Sequence, residues 1–235
     1  MMWIGIVIMA IGFIGVCVFA KMKQQPPAAG SAVLMLIGLG IYMYLYLNPP
    51  PDRSGEYFSM AVAAKVAALP ETKDAKAWIA HDVTGEYYTN IQEAYKNAGG
   101  QAAWVAVSEP DSGMFSMDKF KEELKKYTKD DVVIIDVSVT EYSSDLKKLL
   151  KDANCPKFFF TNNACTFMGF RASEVEKLLK DGKIVGIVAY QQNIDNKFKP
   201  SKSDLEEAFS KRYVIINKDN FKDNKASLGL EESKK

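Results

Sequence analysis

Two long apolar runs open the chain, and short apolar runs that alternate with amphipathic segments follow them. Residues 3–20 and 30–47 each hold 18 uncharged, mostly apolar residues. At about 1.5 Å of rise per residue, 18 helical residues measure roughly 27 Å, close to the thickness of a bilayer's hydrocarbon core. The pattern predicts a hairpin of two transmembrane helices over residues 1–48, joined by the segment KMKQQPPAA.

A cleaved signal peptide is the alternative for the first apolar run. Such a peptide begins with a basic segment and ends at a small-x-small cleavage site. Here no basic residue precedes Lys21, and no small-x-small site precedes KMK. We therefore favour the hairpin.

Residues 49–75 predict a stiff exit from the membrane and a connecting helix. The prolines at the start of this segment stop a helix and favour extended backbone. Residues 56–69 then carry apolar residues at helical spacing. We expect this helix either to pack on the domain that follows or to lie along the membrane surface.

Six apolar runs alternate with amphipathic segments over residues 76–221. The runs are residues 76–83, 101–107, 131–139, 156–162, 184–190 and 213–217. They are continuously apolar, as in strands that are covered on both faces. Strands that alternate with helices call for a parallel sheet with right-handed crossovers. The predicted fold is a doubly wound, mainly parallel α/β domain of about six strands, and the charged residues 222–235 are expected to form a disordered tail.

The charge distribution separates the hairpin from the domain. Residues 1–50 contain two charged side chains, Lys21 and Lys23, and the rest of the chain has a net charge of −1. A near-neutral domain lacks the basic surface that nucleic-acid phosphates require, so nucleic acid is not an expected partner. The two loop lysines favour a cytoplasmic loop, which places the domain in the periplasm or outside the cell. Arg53 and Lys65, beyond the second helix, oppose this orientation.

The chain carries no motif for a cofactor or a metal. It has no GxGxxG and no GxxxxGK[ST] loop, the usual signatures of dinucleotide and P-loop phosphate binding. With one histidine, His81, and no CxxC spacing, a structural zinc site is not expected either. We therefore expect no cofactor and no metal. A disulfide between Cys155 and Cys165 stays open, because it would require the chain between them to double back.

Candidate ligand-binding residues lie where the predicted strands end. In an open parallel sheet, ligands bind outside the carboxyl ends of the strands. The candidates are His81, Asp82, Tyr87, Tyr88, Asp136, Asn162, Asn163 and Gln191. Amide and carboxylate groups match the hydroxyl groups of a small polar or sugar-like ligand, and a tyrosine ring can pack against it. Every doubly wound sheet ends its strands in polar loops, so the alternative is an ordinary polar edge.

A catalytic role for the single histidine has two versions. His81 with Asp82 could act as a general base beside an acid, but adjacent strand residues point to opposite faces and need not meet. His81 with Cys165 could form a nucleophile–base pair, although neither residue lies in an activating motif. We expect no catalytic residue. The predicted role of His81 is an orienting contact at the carboxyl end of the first strand, with Tyr87 or Tyr88 over the ligand.

Parts of the predicted domain resemble type I periplasmic sugar-binding proteins and the related LacI-type regulators. The similar segments are VTGEYYTNIQEAYKNAGG (83–100), DDVVIIDVSVTEYSSDLKKLLKDANCPKFFFTNN (130–163), VEKLLKDGKIVGIVAYQQN (175–193) and YVIINKDNF (213–221). The resemblance covers one of that family's two lobes. It implies an α/β lobe that binds a small polar ligand, with Asn162 where the family often has an acid.

A second resemblance is to response-regulator receiver domains. Asp136 closes the third predicted strand, as the phospho-acceptor does in that family, and Thr161 closes the fourth. The pair Lys199-Pro200 precedes a predicted helix, as a Lys-Pro pair does there. This resemblance implies a cytoplasmic signalling domain on a membrane anchor.

We expect a membrane-anchored, extracytoplasmic α/β module in an inner or plasma membrane, which binds rather than catalyses. One version binds a small polar ligand, and the other is an accessory subunit whose hairpin packs against other membrane-protein subunits. Small residues allow close helix approach. The glycines available for it are Gly5, Gly12, Gly15, Gly38 and Gly40. The receiver-like domain and a small membrane-bound enzyme remain alternatives, and the lipid bilayer is the expected partner of the hairpin.

Overall fold

The computed structural model describes residues 2–48, 51–109, 112–137, 143–161 and 170–230. The chain divides into two compact units, residues 1–52 and residues 53–235. The first unit contains two apolar helices, and the second is an α/β domain with a mostly parallel sheet. The predicted fold class is therefore confirmed.

Two helices of the first unit have the length and composition to cross a membrane. Helix α1 spans Met2–Lys21 and helix α2 spans Gln25–Leu47. Helix α2 begins earlier than the predicted residue 30, because two prolines lie in its first turn, where a missing amide hydrogen leaves no hydrogen bond unmade. With 20 and 23 residues, the helices measure about 30 Å and about 35 Å.

Glycines lie in the seam between α1 and α2. A Cβ atom on Gly12 would lie 2.5 Å from a backbone nitrogen of α2, and one on Gly38 would lie 2.5 Å from a backbone nitrogen of α1. Even alanine at either position would therefore push the helices apart. Gly5 and Gly15 also lie in this seam, whereas Gly40 faces open space. The close approach that the sequence predicts for its glycines thus occurs within the hairpin itself.

We expect cysteines introduced by Gly15→Cys and Ser31→Cys to form a disulfide on mild oxidation, because a Cβ atom on Gly15 would touch the Ser31 side chain. The pair is placed in a background without native cysteines, and the protein is cleaved at the loop lysines and run on a non-reducing gel. Adding Gly12→Leu should lower the linked fraction several-fold, since leucine separates the helices. Gly40→Leu is the matched control and should leave that fraction unchanged. An equal disulfide-linked fraction in the Gly12→Leu and Gly40→Leu variants would contradict the placement of Gly12 between the two helices.

The second unit is a six-stranded sheet between two layers of helices. Its strands are β1 (Ala77–Ala80), β2 (Ala103–Ala106), β3 (Val132–Asp136), β4 (Lys157–Phe160), β5 (Ile184–Tyr190) and β6 (Tyr213–Ile216). Its α-helices are α3 (Ser54–Ala67), α4 (Gly85–Asn97), α5 (Met117–Leu124), α6 (Ser143–Lys151), α7 (Ala172–Lys180), α8 (Leu205–Arg212) and α9 (Phe221–Asn224). The strand order is β2-β1-β3-β4-β5-β6, and β6 is antiparallel to its neighbour. Each strand lies within one of the six predicted apolar runs.

The central strands of the sheet are buried on both faces. Ile135 and Phe160 belong to a core that also contains side chains of α5, α6 and α7. Ile134 and Phe159 belong to a second core, shared with α3, α4 and α8. Because successive strand residues point to opposite faces, two buried faces require an apolar residue at almost every strand position.

Helix α3 packs on the α/β domain, which is the first of the two positions predicted for residues 56–69. Phe58, Met60, Val62 and Val66 are buried in the core that α3 shares with α4 and α8. An amphipathic helix that buries one side against a sheet is stabilised mainly by that burial. The helix therefore covers one face of the sheet and is part of the domain.

Residues 222–230, which the sequence assigns to a disordered tail, instead form short helical turns. Helix α9 is followed by a 3₁₀ helix, Lys225–Leu228. Phe221 and Leu228 are buried in the core beside α7, and Leu230 packs against it. Burial of these three apolar residues holds the charged segment in place. They are too far apart in the sequence to form a recognisable helical or strand pattern. Residues 231–235 lie outside the described residues.

Candidate functional site

A cavity of about 120 Å³ lies next to the carboxyl ends of the strands. The residues that line it are Ser59, Val62, Trp78, Asp136, Thr161, Tyr190 and Tyr213. Asp136 and Tyr190 are the last residues of β3 and β5, and Thr161 directly follows β4. Helix α3 supplies Ser59 and Val62 from the layer that covers the sheet. We call this site the Asp136 cavity.

The carboxyl group of Asp136 is held by two hydrogen bonds. Thr161 Oγ1 donates to Asp136 Oδ1 at 2.6 Å, and Trp78 Nε1 donates to Asp136 Oδ2 at 3.3 Å. Burial raises the pKa of Asp136, while the two hydrogen bonds partly oppose this rise. Among the described residues, no lysine, arginine or histidine forms an ion pair with it. The group is a half-buried acid without a compensating cation among the described residues.

Aromatic neighbours hold the Trp78 indole in place. In the register of β1 and β2, Trp78 pairs with Trp104. The two rings stack with centroids 4.4 Å apart and planes 12° apart. The Tyr95 ring packs edge-on against Trp78 at 5.1 Å. These contacts restrict the ring orientation in which Nε1 reaches Asp136.

The antiparallel direction of β6 brings a second tyrosine to the cavity. Because β6 runs opposite to β5, its first residue, Tyr213, pairs with Tyr190, the last residue of β5. Their ring centroids are 5.2 Å apart. Burial raises the pKa of Tyr213, and the neighbouring Tyr190 adds to the rise. The Tyr213 hydroxyl therefore stays protonated at neutral pH and can donate a hydrogen bond.

Two predicted residues of α4, Tyr87 and Tyr88, lie beside the cavity rather than in its lining. The Tyr87 hydroxyl lies 2.7 Å from Ser59 Oγ, within hydrogen-bonding distance. The rings of Tyr87 and Tyr88 meet edge to face, 5.1 Å apart. Burial raises the pKa of Tyr88, and the nearby Asp136 carboxylate contributes to the rise. Of the two predicted tyrosines, Tyr87 contacts a residue that lines the cavity, and Tyr88 packs against Tyr87.

His81 directly follows β1 and is exposed, at the strand end where the sequence predicts it. Asp82 Oδ1 accepts hydrogen bonds from the Val83 and Thr84 amides at 2.6 and 2.9 Å and from the Thr84 hydroxyl at 2.9 Å. The bonds from Thr84 are the main cause of the lowered pKa of Asp82. Neither His81 nor Asp82 lines the cavity. The Asp82 carboxylate instead stabilises the turn that leads into α4.

Gln191 also has a local structural role. Its Nε2 atom donates to backbone carbonyl oxygens of α8 and β6 at 2.6 and 3.0 Å, which ties the end of β5 to both elements. Asn162, Asn163 and Cys165 lie outside the described residues. Of the predicted site residues that the structure describes, Asp136 is the one that lines the cavity.

The residues that sequence reasoning missed come from four kinds of position. Tyr190 ends a predicted strand, so the rule that ligands bind at carboxyl ends could have found it. Trp78 lies inside a strand, and only its indole nitrogen signals a polar role. Ser59 lies on a helix before the first strand, and Tyr213 begins the last strand. No local pattern placed these last two at the carboxyl edge.

Comparisons with known proteins do not assign the chain to a family. No protein-family model matches the chain, and no curated protein sequence matches it. The resemblances to sugar-binding proteins and to receiver domains remain predictions from the sequence segments that carry them. The function is therefore argued from the geometry of the Asp136 cavity.

The raised pKa of Asp136 predicts a specific pH dependence of stability. The folded protein retains this proton over a pH range in which the unfolded chain has lost it. The stabilisation is complete below the unfolded pKa of about 3.9 and is lost as pH rises through the folded pKa. We expect the melting temperature of the wild type to fall relative to that of Asp136→Asn as pH rises from about 4 to about 8.

The measurement is a thermal melt of the full-length protein in detergent across this pH range. Asp74→Asn removes an exposed carboxyl group and serves as the matched control. Its melting temperature should follow that of the wild type at every pH. A constant difference between the wild type and Asp136→Asn would show that the pKa of Asp136 is not raised by folding.

Proposed function

We propose that the protein is a membrane-anchored α/β module that binds a small polar ligand in the Asp136 cavity. The observation that carries this proposal is the convergence of a carboxyl group, hydroxyl groups and aromatic rings on one cavity. The cavity lies at the carboxyl ends of the strands, where open α/β sheets bind their ligands. A few convergent polar groups that fix the orientation of a ligand are a usual feature of small-molecule sites.

The volume of the cavity supports a ligand smaller than a sugar. Protein interiors contain few voids larger than a water molecule, so a polar-lined cavity of about 120 Å³ has an occupant, either water or a ligand. Typical sites for small molecules measure roughly 300–1,000 Å³. At about 120 Å³ this cavity is well below that range, which favours a ligand of only a few non-hydrogen atoms.

The helical hairpin supports a membrane location for the module. Helices α1 and α2 are each long and apolar enough to cross a bilayer. The loop between them carries Lys21 and Lys23, which favours the cytoplasmic side by the positive-inside rule. With two spans, the domain then lies on the opposite side, in the periplasm or outside the cell.

The accessory-subunit and receiver alternatives have less support from the geometry. Gly12 and Gly38, which could have packed against another subunit, are used within the hairpin. A phosphoryl group on Asp136 would add about −1.5 to −2 charges at neutral pH. Among the described residues no cation lines the cavity to compensate them. Catalysis has less support than binding, because the described lining contains no histidine, lysine or second carboxyl group.

Ser59→Phe tests the cavity, because a phenylalanine at this position of α3 would fill it. We expect small hydroxylated compounds to raise the melting temperature of the wild-type, full-length protein in a concentration-dependent way, since a ligand that binds the folded state stabilises it by mass action. The same compounds should not stabilise Ser59→Phe. Ser203→Phe, at an exposed position, is the control and should respond like the wild type. A response of Ser59→Phe equal to that of the wild type would rule out this cavity as the site.

The orientation of the module is tested by protease protection. A cleavable tag after Lys235 should be removed in intact spheroplasts, because the proposed topology places the C-terminus outside the cytoplasm. A cytoplasmic reporter protein serves as the control for leakage. Cleavage only after permeabilisation would reverse the orientation and favour the cytoplasmic receiver-like alternative.

A further inference from the structure

The charge and ring chemistry of the Asp136 cavity narrow its ligand further. We propose that the cavity binds a small organic cation, specifically a short alkylammonium ion that carries a hydroxyl group. This inference rests on the proposed function, because it identifies the class of ligand that the same cavity takes. Three features of the cavity carry it: an uncompensated carboxyl group, aromatic rings and hydroxyl groups.

The Asp136 carboxyl group has unused hydrogen-bonding capacity. A carboxylate offers about four acceptor positions, and the bonds from Thr161 and Trp78 occupy one on each oxygen. A carboxylate that is partly shielded from water, as this one is, gains stability from a nearby cation. The described residues supply none here, since no lysine, arginine or histidine contacts this carboxyl group or lines the cavity. An ammonium group of a ligand would supply both the charge and the missing N–H donors.

Aromatic rings surround this carboxyl group. Trp78, Tyr190 and Tyr213 line the cavity, and cations are attracted to the faces of such rings. Arg212 shows that two of these rings accept a cation, because its guanidinium carbon lies 5.3 Å from the Tyr190 ring centroid and 5.9 Å from that of Tyr213. Arg212 does not itself line the cavity. The Arg212 guanidinium group therefore does not pair with the Asp136 carboxyl group inside the cavity.

The hydroxyl groups of the lining and the volume of the cavity favour a small ligand that carries a hydroxyl group. Ser59 and Tyr213 place hydroxyl groups in the lining, and these can exchange hydrogen bonds with a hydroxyl on the ligand. The small volume favours a ligand of only a few non-hydrogen atoms. An anion of this size would be repelled by the Asp136 carboxylate, because no cation in the lining offsets the two negative charges. A neutral alcohol would not be repelled, but it would leave the charge of the carboxylate unpaired.

The test compares three probes of nearly equal size at constant ionic strength and neutral pH. They are ethanolammonium, propan-1-ol, which replaces the ammonium by a methyl group, and glycolate, which carries a negative charge. The full-length protein in nanodiscs is titrated with each, and binding is measured by calorimetry and by the shift in melting temperature. We expect ethanolammonium to bind at least tenfold more tightly than either other probe.

Asp136→Asn keeps the size of the side chain and removes its charge, so it should weaken ethanolammonium binding at least tenfold. Asp74→Asn should bind ethanolammonium like the wild type. If Asp136→Asn does not fold, Ser59→Phe provides the second variant, because it closes the cavity and leaves Asp136 in place. Unchanged ethanolammonium binding in either cavity variant would overturn the proposal.

The other outcomes separate this inference from the proposed function. Propan-1-ol binding that equals ethanolammonium binding and is lost in Ser59→Phe would overturn the cation preference and leave the cavity as a site for neutral polar ligands. Tighter binding of glycolate would overturn it in the same way. The absence of binding by all three probes would overturn the cation proposal, and only a failure of the broader compound panel as well would overturn the proposed function.

Discussion

The carboxyl group of Asp136 is partly shielded from water without a charged partner among the described residues, and the site depends on how its hydrogen bonds are made. A buried carboxyl group needs hydrogen bonds, because an unsatisfied or charged group in a low-dielectric interior is costly. Neighbouring strands provide them: β1 supplies the Trp78 indole and the residue after β4 supplies the Thr161 hydroxyl. The parallel register of β1, β3 and β4 therefore also places the two hydrogen-bond donors beside the Asp136 carboxyl group.

Helix α3 covers part of this edge of the sheet and forms one side of the cavity. In a doubly wound sheet, the crevice at the carboxyl ends is normally open to loops. Here α3 buries its apolar side chains in the core it shares with α4 and α8, and it brings Ser59 and Val62 to the lining. The Ser59–Tyr87 contact then links α3 to α4 beside the cavity. The same helix thus completes a core and limits the size of what can bind.

The two units are stabilised by different contacts. In the hairpin, glycines let two apolar helices approach closely, which gains van der Waals contact between them. In the α/β domain, aliphatic and aromatic side chains bury both faces of a sheet. Under the proposed function, the hairpin anchors the binding domain to a membrane. This would concentrate the domain at the surface where it meets its ligand.

The sequence by itself determined the two apolar helices, the six strands and the doubly wound fold class, because each follows from a local period of apolar residues. It also singled out Asp136 as a candidate, since a carboxylate at the end of an apolar strand is visible in the chain. The ordering of residues 222–230 was missed, because burial of Leu228 depends on a core built by distant elements. Only the tertiary structure decided that Asp82 and Gln191 serve local turns and strand ends while Ser59, Trp78 and Tyr213 line the cavity. The physical reason is that strand direction and helix packing bring together residues up to 154 positions apart, from Ser59 to Tyr213, and no local pattern encodes which of them meet.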